Sequence, residues 1–220
     1  MNSSKNKSYK KLLITGASSP AGVAIMNYIF EKYKNIEIYT ASRTKIEKNY
    51  INKNFIIDLK NKSTFNFGNV SFDFVINIAS AVPSKYNDRE EIFSINVDGL
   101  IEMFRKLNLS PSAKIINFST QSVYNCPTDD VIYENSEKET LKSYGLSKFK
   151  FEMNLIDLYK DLDVSIANLR IPVLLCPNIK NNFISKWMNN IIKEEPVNIS
   201  NLNSNFNAVV NIESLVDFLF

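Results

Sequence analysis

Apolar positions in this chain come in short, dense runs separated by longer segments where they recur every three or four residues. The runs are "KLLIT" (11–15), "IEIYTA" (36–41), "NFIID" (54–58), "DFVINIA" (73–79), "AKIINFS" (113–119) and "VSIANLR" (164–170). Runs so short and so rich in β-branched residues predict strands covered on both faces. Between them, "AGVAIMNYIFEKY" (21–33), "REEIFSINVDGLIEMFRKL" (89–107) and "KFKFEMNLIDLYK" (148–160) carry apolar stripes at helical spacing. Strand and helix in alternation predict an α/β protein built on a doubly wound parallel sheet. After Pro172 the regularity weakens. "NNFISKWMNNIIKEE" (181–195) predicts one more helix, a polar stretch follows, and "NIESLVDFLF" (211–220) predicts a helix with no capping signal at its end. The expectation is a small C-terminal lobe that stops short of completion.

Composition narrows the chemistry. With 220 residues, 45% hydrophobic and 22% charged, one sizeable core is affordable. No segment has the long apolar run of a signal peptide or membrane span, so a soluble cytoplasmic protein without a membrane partner is expected. The net charge of +3 is spread along the chain, with no dense Lys/Arg block among aromatics, and nucleic acid is not an expected partner. Cys126 and Cys176 lie far apart without a CxxC pairing, which suggests neither a disulfide framework nor a metal site. The chain contains no histidine. That removes Ser-His-Asp, Cys-His and imidazole-metal chemistry. An acid or base must come from Tyr, Lys, Asp, Glu or Cys.

Three stretches carry candidate chemistry. "TGASSPAG" (15–22) joins the first predicted strand directly to the first helix. A tight turn of small residues there lets backbone N–H groups approach a pyrophosphate while the helix N-terminus supplies partial positive charge. Gly16, Ser18, Ser19, Pro20, Ala21 and Gly22 are therefore expected to bind a dinucleotide, with Ser19 where the usual fingerprint has its middle glycine. At the end of the second strand, "TASR" (40–43) puts Ser42 and Arg43 where NAD-binding folds tend to carry an acidic residue on the ribose. A guanidinium suits a 2′-phosphate, so NADP is expected over NAD; a solvated surface Arg is the alternative. Finally, "YGLSK" (144–148) spaces Tyr144 and Lys148 one helical turn apart. By itself that pair is either a proton donor with its tuning cation or a chance spacing.

Taken together, "TGASSPAG", "FSTQSVY" (118–124) and "YGLSK" resemble the extended short-chain dehydrogenase/reductase family, the NAD-dependent epimerase/dehydratase group acting on nucleotide sugars. "IIDL" (56–59), "NIAS" (77–80), "NVDGL" (96–100), "LRIP" (169–172) and "VVNIESLV" (209–216) extend the likeness over nearly the whole chain. The resemblance implies a Rossmann-type dinucleotide-binding domain over residues 1–170 and a partial substrate-binding region over 171–220. It implies Tyr144 as catalytic acid/base, Lys148 as its partner and ribose ligand, and Thr120 as the hydroxyl that aligns the substrate oxygen. Asp58 and Leu59 would border the adenine, Ala79 and Ser80 would flank ribose and pyrophosphate, and Pro172 would close the cofactor shell. Asn96 would either touch cofactor or tie neighbouring backbone together, and Arg170 would have a structural pairing role. Ser80, Thr120, Ser122, Asn182 and Phe183 are the implied substrate contacts. The family also implies a homodimer in which the helices of residues 88–107 and 144–160 form a four-helix bundle.

The same resemblance discriminates among reactions. A 4,6-dehydratase follows its catalytic Thr with Asp and Glu, because elimination needs a separate acid and base; here Gln121 and Ser122 stand there. Double epimerisation of the fucose-synthase kind leans on Cys and His, and His is absent. What remains is hydride transfer at a sugar carbon: NADPH-dependent reduction of a nucleotide-linked 4-keto sugar in polysaccharide biosynthesis, or 4-epimerisation with retained NAD. A protein that binds dinucleotide without turnover is the non-enzymatic alternative.

Overall fold

The computed structural model describes residues 9–125, 131–136, 138, 142–178, 183–199 and 209–219. Six strands, β1 (Lys10–Thr15), β2 (Ile36–Ser42), β3 (Ile51–Ile56), β4 (Ser71–Asn77), β5 (Asn108–Thr120) and β6 (Val164–Ile171), form one sheet in the order β3-β2-β1-β4-β5-β6. Every pairing in it is parallel. The predicted doubly wound sheet is therefore the observed one, and its strand order reverses between β1 and β4. A crevice opens at such a switch point, outside the carboxyl ends of the strands.

Alternation along each strand sends successive side chains to opposite faces. Leu13 and Val75 join Phe72, Phe104, Phe151 and Leu155 in one apolar cluster, while Leu12, Ile14 and Ile76 join Ile25, Met26 and Ile29 in the other. The first face is covered by α3 (Leu100–Arg105) and α4 (Ser143–Tyr159); α3 continues α2 (Arg89–Phe93) through a π-helical segment (Ser94–Gly99), and Ile92 and Ile95 of these pack with Ala81 in a small separate cluster. The second is covered by α1 (Pro20–Lys32) and α6 (Ile212–Leu219), whose Ile212, Leu215 and Val216 are buried there. Tyr28 on α1 donates to the Asp217 carboxylate at 2.7 Å, and Lys32 pairs with the same group. Between β6 and α6 lie α5 (Phe183–Ile192) and a small parallel sheet of β7 (Val173–Leu175) and β8 (Val209–Asn211).

Two strands begin three or more residues before their apolar runs. β3 starts at Ile51 because it is an edge strand, where the exposed Asn52 and Lys53 can be polar. Asn52 accepts the Ile38 N–H at 3.0 Å, where the register shifts. β5 reaches back to Asn108 through a second register shift and a left-handed Ser112 (φ 59°). The single helix predicted over 89–107 carries a π-helical insert. At its end Gly99 packs so close to the Leu59 carbonyl that a Cβ would collide with it.

One row of the sheet is polar although Thr15, Asn77 and Asn117 in it are fully buried. Thr15 donates to Asn77 at 2.5 Å, Asn77 to Asn117 at 2.8 Å, and Asn117 to Asn168 at 2.8 Å, each with its direct neighbour in the register. Among the described residues, no helix is long and apolar enough to cross a membrane.

Candidate active site

The β1–α1 loop is built by what its residues lack. Gly16 has a left-handed φ of 66°, donates its N–H to Ala41 O at 2.9 Å, and lies so near the β4 loop that a Cβ would stand 2.6 Å from Ala79 N. Ser19 is the N-cap of α1: its hydroxyl accepts the Gly22 N–H at 3.1 Å, and Pro20 follows in the first turn. Thus the serine standing at the middle-glycine position makes the helix start. Gly22 presses on the Ala17 backbone, where a Cβ would meet it at 2.7 Å. Ala21 and Gly22 are buried on α1 and support the loop from behind.

Above this loop lies a cleft of about 240 Å³. Gly16, Ser18, Ser19 and Pro20 line it from β1–α1, Ser42 and Arg43 from the end of β2, Asp58 and Leu59 from after β3, and Ala79 and Ser80 from after β4. The structure thus gathers into one wall residues that the sequence spreads over four loops. Sequence reasoning missed Lys60, Lys85 and Tyr86 in the same wall. Arg43 reaches the Tyr86 hydroxyl at 3.3 Å, and the Lys60 ammonium stands over the Tyr86 ring at 5.4 Å from its centre. Ser42 donates to Thr44 O at 2.6 Å, so its proton shapes the loop beside Arg43.

Tyr86 also lines a neighbouring cleft of about 340 Å³ with Ser122, Lys142, Ser143, Tyr144 and Gly145. Tyr144 and Lys148 are on α4, as the spacing requires, and Thr120 ends β5. The Thr120 hydroxyl accepts the Ser122 N–H at 3.2 Å and caps the 3₁₀ turn Gln121–Val123. Burial raises the Tyr144 phenol above its ordinary value, and the opposing influence is a hydrogen bond with Ser80. Lys148 is not among the groups that shift the Tyr144 phenol; burial sets the direction. Lys148 is itself 1% exposed, and burial pushes its ammonium down to about 8 against the upward pull of Glu152.

Asn96 stands behind the cleft, within the π-helical segment. Its side-chain oxygen accepts from Ser80 Oγ (3.1 Å) and Ala81 N (2.6 Å), and its nitrogen donates to Ala81 O and Ser147 Oγ, both at 3.0 Å. All four hydrogen-bonding positions of the amide are used, which ties the β4 loop to α4 and leaves none for a ligand. Arg170 pairs with Glu152 through a 2.7 Å contact and donates to Tyr124 Oη at 2.7 Å. Pro172 and Phe183 line neither cleft. Phe183 begins α5 and packs edge-on against Trp187. Asn182 lies outside the described residues.

A parallel sheet of this strand order, with a close-packed glycine loop at its switch point, defines a Rossmann-type nucleotide-binding protein. The chain belongs to the NAD dependent epimerase/dehydratase family, which it matches over residues 12–220. No curated protein matches its sequence. Among solved structures, it is similar to MoeE5 in complex with UDP-glucuronic acid and NAD: 18% identity over 95% of this chain and 70% of that one, TM-score 0.77. It is also similar to the UDP-glucuronic acid 4-epimerase of Bacillus cereus in complex with UDP-glucuronic acid and NAD (16% identity, 94% and 70% covered, TM-score 0.75). A third is the ADP-L-glycero-D-manno-heptose-6-epimerase of Helicobacter pylori (16% identity, 98% and 74% covered, TM-score 0.76). At these identities the likeness establishes the fold.

Proposed function

We propose that the protein binds a nicotinamide dinucleotide along the first cleft and transfers hydride at a carbon of a nucleotide-linked sugar in the second. The observation that carries this reading is the shared wall: the glycine-loop cleft and the Tyr144 cleft meet at Tyr86. The residues present fit such a cofactor. Gly16 brings two loops together behind the site, and the N-terminus of α1, whose Ser19 and Pro20 line the cleft, offers partial positive charge to a diphosphate. Ser18, Ser19 and Pro20 would hold the diphosphate, Asp58 and Leu59 the adenine, and Lys148 the ribose. When bound, the nicotinamide supplies the hydride donor or acceptor.

The chain's own groups do the rest. Tyr144 delivers a proton to the sugar oxygen, or removes one from it, as the carbon beneath changes oxidation state. Thr120 supplies a second hydrogen bond to that oxygen. Lys148 as ammonium favours the phenolate when Tyr144 is deprotonated.

Arg43 supports net reduction with NADPH of a 4-keto sugar, because no carboxylate takes its place at the end of β2 and its guanidinium lines the cleft. Epimerisation with retained NAD is the second reading, supported by the Bacillus cereus 4-epimerase with NAD among the similar structures. Pairing through a four-helix bundle belongs to the same proposal: Met153 (51% exposed) and Ile156 (46% exposed) on α4 point away from the sheet. Residues 1–170 would then form the cofactor domain and 171–220 part of the substrate region.

The experiment is to denature purified protein, identify released dinucleotide by mass, and assay NADPH consumption against nucleotide-linked keto sugars. Reduction predicts consumption of NADPH; epimerisation predicts co-purified NAD and conversion without net redox. Arg43→Ala should weaken NADP(H) binding by roughly tenfold to a hundredfold while leaving NAD(H) unchanged, since a bidentate Arg–phosphate contact is worth about 1.5 to 3 kcal/mol. Equal losses for both cofactors would refute the phosphate role.

A further inference from the structure

Among the described residues two charged side chains are buried, and they lie one helical turn apart on α4: Lys148 and Glu152, each 1% exposed. Lys148 has a place in the proposed chemistry; Glu152 has none so far. A buried carboxylate is unfavourable unless its oxygens are satisfied. Those of Glu152 are: Ser119, the residue before Thr120, donates to Oε1, and Arg170 on β6 donates Nη2 to Oε2 at 2.7 Å and Nε to the same oxygen at 3.2 Å. Arg170 in turn donates to Tyr124 just beyond the 3₁₀ turn that Thr120 caps, and its guanidinium stacks on that ring.

We propose that Glu152 is a positioning residue: its buried carboxylate joins α4 to the ends of β5 and β6 and keeps Lys148 in its ammonium form. This role rests on the functional reading above and deepens it. Burial alone drives Lys148 towards the neutral amine, which can neither favour a phenolate nor donate as a cation to ribose hydroxyls. The opposing charge is that of Glu152. Among the described residues, Tyr144 is on α4 itself, while Arg170 from β6 and Tyr124 from the turn after β5 are bound into the Glu152 network; the charged side chains of the packed α2, π-helical and α3 segments (Arg89, Glu90, Glu91, Asp98, Glu102 and Arg105) are exposed or half-buried. From the π-helical segment the neighbour is Asn96, which carries no charge. Glu152 is thus the anion that the same helix offers Lys148 one turn away, and Arg170 holds it in place.

The test is the affinity of the whole protein for NAD and NADP, titrated calorimetrically from about pH 6 to about pH 10, a range that reaches the ordinary lysine value. Affinity of the parent should fall with a midpoint near about 8, where Lys148 loses its proton. In Glu152→Gln, which keeps the shape but not the charge, the midpoint should move down by about one pH unit or more. Gln leaves Arg170 without its anion, so Glu152→Gln combined with Arg170→Met serves if the single variant does not fold; the same downward shift is expected. Glu152→Asp, which restores the charge, should return the midpoint towards that of the parent. A folded variant lacking the 152 carboxylate but titrating like the parent overturns the Glu152 role alone. A parent that binds neither dinucleotide overturns the functional reading, and the Glu152 role with it.

Discussion

The two ends of the cleft are made of different material. At β1–α1 the wall is backbone: Gly16 stands against Ala79, Gly22 against Ala17, and the one side chain with a specific bond, that of Ser19, serves the helix terminus. At β5–α4 it is side chains: Tyr144 lines the second cleft, Thr120, Lys148 and Glu152 are buried on the same two elements, and their partners are Ser80, Ser119 and Arg170. Fixed backbone dipoles do not titrate, so the first end should act alike at every pH where the protein is folded. Buried ionisable groups do titrate. The second end should carry both the chemistry and the pH dependence.

The largest effect expected from this division is at Tyr144. Tyr144→Phe removes the proton-transferring oxygen and leaves the β1–α1 wall untouched, so turnover should fall by about 10² to 10⁴ while dinucleotide affinity is retained. Stopped-flow turnover alongside calorimetric binding separates the two, and parallel losses would erase the distinction between the ends.

Next in size is the stability carried by Lys148. Its folded value, about 8, lies below the ordinary lysine value of about 10.4, so the unfolded chain binds that proton more readily. The burden of a buried ammonium is therefore full below about pH 8 and is relieved as pH rises towards about 10.4. Lys148→Met should be more stable than the parent by roughly 2 to 3 kcal/mol at neutral pH, and the gap should close through that window. Urea unfolding at several pH values measures it; a constant gap would show that packing, not charge, sets the difference.

The smallest effect belongs to the backbone end. Ser19→Ala removes the N-cap of α1 and should lower stability by about 1 kcal/mol, or about 2 to 4 °C in melting temperature, with no change in pH dependence. A melt that shifts differently at pH 6 and at pH 9 would place a titrating group where none is expected.

The same division explains what could be read from the sequence. β1, α1 and the glycine loop were legible because continuous apolar residues, a capping serine and small residues act locally. So was the Tyr144–Lys148 spacing, since one helical turn is a local fact. The starts of β3 and β5 were hidden by polar residues that an edge strand and a register shift tolerate. β7 and β8, three residues each, are too short for periodicity. Lys85 and Tyr86 sit in a loop whose place in the cleft depends on where β4 ends. Glu152 reads in sequence as one polar position in an apolar stripe, and its meaning depends on Arg170, which only the parallel pairing of β5 and β6 brings to it.

The buried polar row running from Thr15 through Asn77 and Asn117 to Asn168 has a consequence for how the sheet assembles. Parallel strands of Ile, Val and Leu are nearly interchangeable under a shift of two residues, since such a slide restores the same alternation of faces. Such a two-residue slide between two of these strands puts an asparagine opposite a hydrocarbon such as Leu13, Val75, Ile115 or Ile166, at about 1 to 3 kcal/mol for each orphaned amide. The row thus works as a parity check on strand alignment. Misaligned sheets are rejected while they are still loose, during the slow closure of long-range parallel pairs when a chain is most exposed to aggregation.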